Sequence, residues 1–106
     1  MDFVESADVL KALGEVTRLK IVSLLAIRDC CVCELVPLFG VSQPAISKHM
    51  SRLKSVGLVS EARKGQWVFY SLKKKKLQEL CVSLDHLPDM SRELAQLVNQ
   101  EGLVCE

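Results

Sequence analysis

Aromatic residues are scarce: Trp67, Tyr70 and three Phe make up 5% of 106 residues. A protein that grips single-stranded nucleic acid stacks bases on exposed rings and carries more of them. Glycine and proline are few as well, five and three, and no linker, repeat or low-complexity segment divides the chain. A single domain over residues 1–106 is therefore expected. No run approaches the roughly 20 consecutive apolar residues of a membrane span. Asp2 and Glu5 precede any lysine, the reverse of a signal peptide's basic flank. The expectation is a cytoplasmic protein with no membrane partner. No glycine-rich phosphate loop is present, and neither histidine lies near Cys30, Cys31 or Cys33 in sequence, so no enzyme is expected. Net charge is small too, 14 Lys and Arg against 13 Asp and Glu. A total of +1 argues at first against a nucleic-acid partner.

What is present reverses that last point. Residues 42–76 hold nine basic residues against the single acid Glu61, a net +8, while the remainder carries five basic and twelve acidic residues, a net −7. Such segregation presents one face to a polyanion and keeps the rest from sticking. The same region has a helix-turn-helix pattern. Val9, Leu10 and Leu13 stripe a first helix over 6–13, ended by Gly14. Thr17 can cap a second, with Leu19, Val22, Leu25 and Ala26 on one face. A third spans roughly 32–39, with Leu35, Leu38 and Phe39 inward and Gly40 at the turn. Ser42 caps a fourth, where Ile46, Met50 and Leu53 repeat at helical spacing up to Gly57. Helices joined by so short a connection form the helix-turn-helix unit.

Ser42, Gln43, Ser47, Lys48 and His49 occupy the first two turns of that fourth helix, where a recognition helix meets base edges. Gln pairs with adenine, and Lys reaches guanine or phosphate. Arg52 follows on the helix. Arg63 and Lys64 lie in a β-hairpin made of 58–63 and 67–72, with Gly65 in the turn and Trp67 and Tyr70 in its core. Lys73–Lys76 reads equally as DNA-facing charge and as a solvated helix start. Beyond them, Leu77, Leu80, Cys81 and Leu84, then Leu94, Leu97 and Val98, stripe two further helices. The fold class is mainly α with a small hairpin. The apolar terminal segments exceed what one small domain needs to cover, which predicts a homodimer through the N- and C-terminal helices, two recognition helices about one DNA turn or a multiple apart, and a pseudo-palindromic operator in double-stranded DNA.

Of five cysteines, Cys30, Cys31 and Cys33 crowd together at the start of the third helix. Thiolates favour soft ions, and three in four residues can form a trigonal site. On a helix, Cys31 and Cys33 point about 200° apart, whereas Cys30 and Cys33 share a turn. Joining Cys31 to Cys33 therefore requires the helix start to unwind, disfavouring the DNA-bound state by about 1–3 kcal/mol. Cys81, on an apolar stripe, is expected to be buried, and Cys105 lies in the C-terminal tail.

The strings Cys31-Val32-Cys33-Glu34-Leu35, Ser42-Gln43-Pro44-Ala45-Ile46-Ser47-Lys48-His49-Met50, Gly57-Leu58-Val59 and Gly65-Gln66-Trp67-Val68-Phe69-Tyr70-Ser71-Leu72 resemble the ArsR/SmtB family of metalloregulatory repressors over residues 6–80. The resemblance implies a winged helix-turn-helix homodimer that represses transcription and leaves its operator when a toxic ion binds. It carries Cys31 and Cys33 over as arsenic(III) or antimony(III) ligands, with either ion as inducer. The third cysteine of the best-known members falls at Val36 here, leaving Cys30, preferred, or Cys105 for a third thiolate. The cadmium sensors of this type add cysteines from an N-terminal extension, whereas no Cys precedes Cys30 here, and Asp85-His86 lacks the histidine pattern of zinc sensors. The alternatives are another soft ion such as cadmium, or thiol redox or persulfide sensing on the same fold.

Overall fold

Local capping sets the frame of the computed structural model, which describes residues 1–101. The Asp2 carboxylate accepts from the Glu5 amide and starts α1 (Phe3–Leu13). The Glu15 carboxylate accepts from the Arg18 amide and starts α2 (Val16–Leu25). Glu15 therefore takes the role expected of Thr17. The chain then makes the two-residue strand β1 (Cys30–Cys31), followed by α3 (Val32–Phe39) and α4 (Gln43–Ser55). Between them Gly40 takes φ +64°, and the Ser42 hydroxyl caps the Ala45 amide. β2 (Val59–Lys64) and β3 (Trp67–Leu72) form the hairpin around Gly65, also at φ +64°. α5 (Lys74–Asp85) and α6 (Ser91–Glu101) complete the order.

The sheet is antiparallel in the order β1-β3-β2. Cys30 pairs with Tyr70 and Cys31 with Phe69, so the hairpin is tied to the segment that opens α3. That third strand is too short to leave a period in the sequence. The fold is a winged helix-turn-helix, α3 and α4 being the helix pair and β2–β3 the wing.

Ile46, Met50 and Leu53 reach zero exposure beneath α4, packed with Leu35 of α3, Val9 and Ala12 of α1, and Ile21, Val22 and Leu25 of α2. Several expected core positions lie outside it. Leu19 and Leu38 are exposed on a shared α2–α3 surface. Trp67 is exposed while Tyr70 is buried, because residues three apart on a strand point to opposite faces. On α5 only Leu80 is buried; Cys81 and Leu84 face solvent.

The radius of gyration is 18.9 Å, against about 13 Å for a compact chain of this length. Leu94 and Leu97 of α6 are 65% and 51% exposed. Phe3, Val4 and Leu10 of α1 are exposed as well. The side chain of Val98 and the residue Cys105 lie outside the described residues.

Candidate nucleic-acid interface and thiol site

α4 offers its polar side outward because its apolar residues recur at 46, 50 and 53 and turn the opposite side inward. Gln43, Ser47 and Lys48 are exposed, as are Arg63 and Lys64 on the wing. The Lys64 ammonium sits 5.3 Å from the Phe69 ring centroid, which steadies a long side chain without neutralising it. Other members of the expected set are engaged within the protein. The Ser42 hydroxyl accepts from the Ala45 amide at 3.3 Å. Arg52, half-buried, donates to Ser55 Oγ at 3.4 Å.

His49 turns toward α2. Its Nδ1 lies 3.3 Å from Arg18 Nη1 and 3.7 Å from the Glu15 carboxylate, while Arg18 Nε donates to the Ala12 carbonyl. The Arg18 amide, bonded to Glu15, holds that carboxyl below its usual range. The cluster braces the recognition helix against α1 and α2. Lys54 is likewise occupied. Its ammonium donates to Glu61 at 2.7 Å, which joins the end of α4 to the wing and lowers the Glu61 carboxyl. Burial and the neighbouring Glu61 raise the Tyr70 phenol.

At the other end of the helix pair, the three clustered cysteines separate. Strand alternation sends Cys30 and Cys31 to opposite faces of β1. Cys30 is 1% exposed, and its thiol donates to the Arg28 carbonyl. Burial pushes that thiol's pKa up, which disfavours the thiolate. Cys31 is the N-cap of α3, with φ −88° and ψ 151°, and its Sγ accepts from the Cys33 amide at 3.2 Å. Because Cys31 is extended rather than helical, the 200° divergence expected on a helix does not arise. The structure joins Cys31 and Cys33 as a disulfide across one residue, with their Cα atoms 5.2 Å apart. The reduced chain would present two thiols side by side without unwinding α3.

Glu34 fixes this corner. One carboxylate oxygen accepts from the Cys31 amide at 3.0 Å, and the other pairs with Arg28. The amide first, then the guanidinium, hold the Glu34 carboxyl below the usual range. No third Cys, His, Asp or Glu joins the pair as a metal-holding group among the described residues.

The thiol pair opens on a cleft of about 460 Å³. Val32, Val36 and Pro37 of α3 form one wall, Gln43 and Ser47 of α4 a second, and Gln66, Trp67 and Val68 of the wing a third. Trp67 is the contributor that sequence reasoning misplaced. Its odd spacing from Tyr70 was the signal that only one of the two could enter the core.

Residues 15–61 match the family model described as bacterial regulatory protein, arsR family. The chain is 44% identical over 66 residues to the arsenic resistance transcriptional regulator ArsR2 of Pseudomonas putida, covering 61% of this chain and 57% of that protein. It thus spans little more than half of that relative's length. To the arsenical resistance operon repressor of Staphylococcus xylosus it is 34% identical over 85 residues, covering 80% of this chain and 82% of that one. Among solved structures, an ArsR-like transcriptional regulator from Rhodococcus sp. superposes with a TM-score of 0.75 at 28% identity, covering 93% of this chain and 94% of that one. Fold and relatives are those of transcriptional regulators, not enzymes, and no described helix is long and apolar enough to cross a membrane. On this match of sequence, helix pair and wing, the chain belongs to the arsR family of bacterial regulatory proteins.

Proposed function

We propose that the protein is a transcriptional repressor that holds a double-stranded operator as a homodimer and releases it when arsenite or antimonite bonds to Cys31 and Cys33. The observation that carries this reading is the convergence of two thiols in a cleft whose other walls are the recognition helix and the wing. Soft trivalent ions favour thiolates over oxygen donors. Several relatives are named as regulators of arsenical resistance, in keeping with such an inducer. A ligand here acts on the reading surface directly: Gln43, Ser47 and Gln66 line its cleft, and Cys31 pairs with Phe69 of the wing. The exposed apolar residues of α1 and α6 supply the dimer contact, and the +8 of residues 42–76 supplies attraction to DNA.

The test is arsenite titration of the reduced protein, read by thiolate-to-arsenic absorbance and by release of bound operator. Cys31→Ser and Cys33→Ser should abolish both signals. Cys30→Ser should retain them, because Cys30 is buried on the opposite face of β1. Full response in Cys31→Ser would refute the assignment. Sedimentation as a monomer at micromolar concentration would refute the dimer.

The disulfide between Cys31 and Cys33 favours a second reading, reversible oxidation of the same pair. A mild oxidant would then lower operator affinity in step with formation of that bond by mass spectrometry, and a thiol reductant would restore both.

A further inference from the structure

The cleft at the cysteine pair divides the DNA-facing surface in two. Gln43 and Ser47 of α4 stand on one bank, Gln66 and Trp67 of the wing on the other, and all four are exposed. A major groove about 12 Å wide admits one helix. A wing beside that helix therefore lies beyond the edge of the groove, and that edge is a sugar–phosphate strand. On the arsenic-sensing reading, we infer that this cleft receives one sugar–phosphate strand of the operator, so that inducer and DNA compete for a single site instead of communicating between two.

The lining suits a phosphodiester. The side-chain amides of Gln43 and Gln66, the Ser47 hydroxyl and the Trp67 indole N–H can each donate to a phosphate oxygen. No acidic residue lines the cleft among the described residues. Lys48, beside Ser47, and Arg63 and Lys64, at the end of β2, are exposed cations on the same two elements and supply the attraction. Val36, Pro37, Val68 and the indole ring offer the apolar contact that a deoxyribose takes.

Cys31 and Cys33 line the same space. Arsenous acid and the two thiols give (Cys–S)2As–OH and two waters: two As–O and two S–H bonds break, two As–S and two O–H bonds form, and arsenic stays trivalent. The product puts arsenic and its hydroxyl in the volume the strand would take. Cys31 is paired with Phe69 of β3, so widening the cleft to hold both occupants would break that pairing. Coupling between separate sites has a ceiling, set by how strongly each ligand distinguishes two states. Competition for one site has none.

The experiment uses the full, reduced chain and a fluorescent duplex that the protein itself selects from a random library, with anisotropy recorded over a series of arsenite concentrations. The apparent Kd for the duplex should keep rising with arsenite, past the roughly 150-fold at which coupling between separate sites usually ends. A plateau would mean that the arsenic-bound protein still holds DNA, and would overturn the inference while leaving arsenic sensing intact. Gln66→Ala should weaken the selected duplex and a scrambled one by the same factor, about ten-fold, since a phosphate contact carries no base information. The same variant should bind arsenite as the parent does, by thiolate-to-arsenic absorbance. Loss confined to the selected duplex, or no loss, would overturn the placement of the strand. Trp67 is the single tryptophan, and the duplex should alter its emission; an unchanged emission would overturn the inference as well. Absence of thiolate-to-arsenic absorbance in the parent would instead refute the sensing reading itself.

Discussion

Two lysines on the DNA-facing side differ in a way that salt titration can read. Lys64 is exposed at the wing tip with no carboxylate partner among the described residues, whereas Lys54 is paired to Glu61 at 2.7 Å. A free cation at a phosphate releases counterions, and each adds about 0.9 to the slope of log affinity against log salt. In a homodimer Lys64→Ala removes two such contacts, so the slope should become shallower by about 1.8. Over the four-fold range from about 50 to about 200 mM salt, that difference corresponds to about 12-fold in affinity. The neutral pair should behave differently. Lys54→Ala combined with Glu61→Ala deletes no net charge and should leave the slope unchanged, with any loss appearing as lower stability. Fluorescence anisotropy on a labelled operator duplex at a series of salt concentrations measures both. Equal slope changes in the two variants, or none in Lys64→Ala, would refute the division of the basic face into free and internally paired cations.

Other expectations follow from the same geometry. Leu53→Ala, at zero exposure beneath α4, should cost about 2–5 kcal/mol in urea unfolding. Gly65→Ala should cost about 1–2 kcal/mol through backbone strain alone, since φ is +64° and nothing lies within 4 Å of the added Cβ. Glu34→Gln should lower the melting temperature at neutral pH. Because the Glu34 carboxyl is held below its ordinary value of 4.5, its contribution is present above that pH and is lost as pH falls through the depressed value. Melting curves of parent and variant should therefore converge on acidification. His49→Ala should destabilise the fold through the Arg18–Glu15 cluster while leaving base preference on an operator library unchanged.

Most of the DNA-facing half was legible in the sequence because its signals are periodic. Ile46, Met50 and Leu53 repeat at helical spacing under a serine cap, and the hairpin carries strand-like runs around Gly65. The errors fall where local pattern and tertiary contact part. Glu15 caps α2 in place of Thr17, since its longer carboxylate reaches the Arg18 amide from outside the helix. Leu38, Cys81 and Leu84 sit on apolar stripes that the monomer leaves uncovered. His49 carries no mark in sequence of the Arg18 guanidinium 31 positions away.

The thiol corner shows how much depends on two residues of backbone. Had Cys30 and Cys31 continued α3 toward its N-terminus, a turn would have paired Cys30 with Cys33 and sent Cys31 away. Pairing with Tyr70 and Phe69 instead makes those residues extended, which buries both, turns Cys30 into the core and Cys31 toward Cys33, and fixes them relative to the wing. A ligand at the pair therefore needs no unwound helix to reach the DNA surface, because the strand that carries Cys31 is hydrogen-bonded to the wing. Weakening that pairing should separate sensing from response. Phe69→Pro, on the central strand opposite both Cys31 and Ala62, removes a ladder amide there while leaving both thiols in place. Arsenic should still bind the variant, with a smaller change in operator affinity than in the parent, since less differential stabilisation reaches the wing. Undiminished coupling in a variant whose fold is intact by circular dichroism would show that the signal travels through α3 instead.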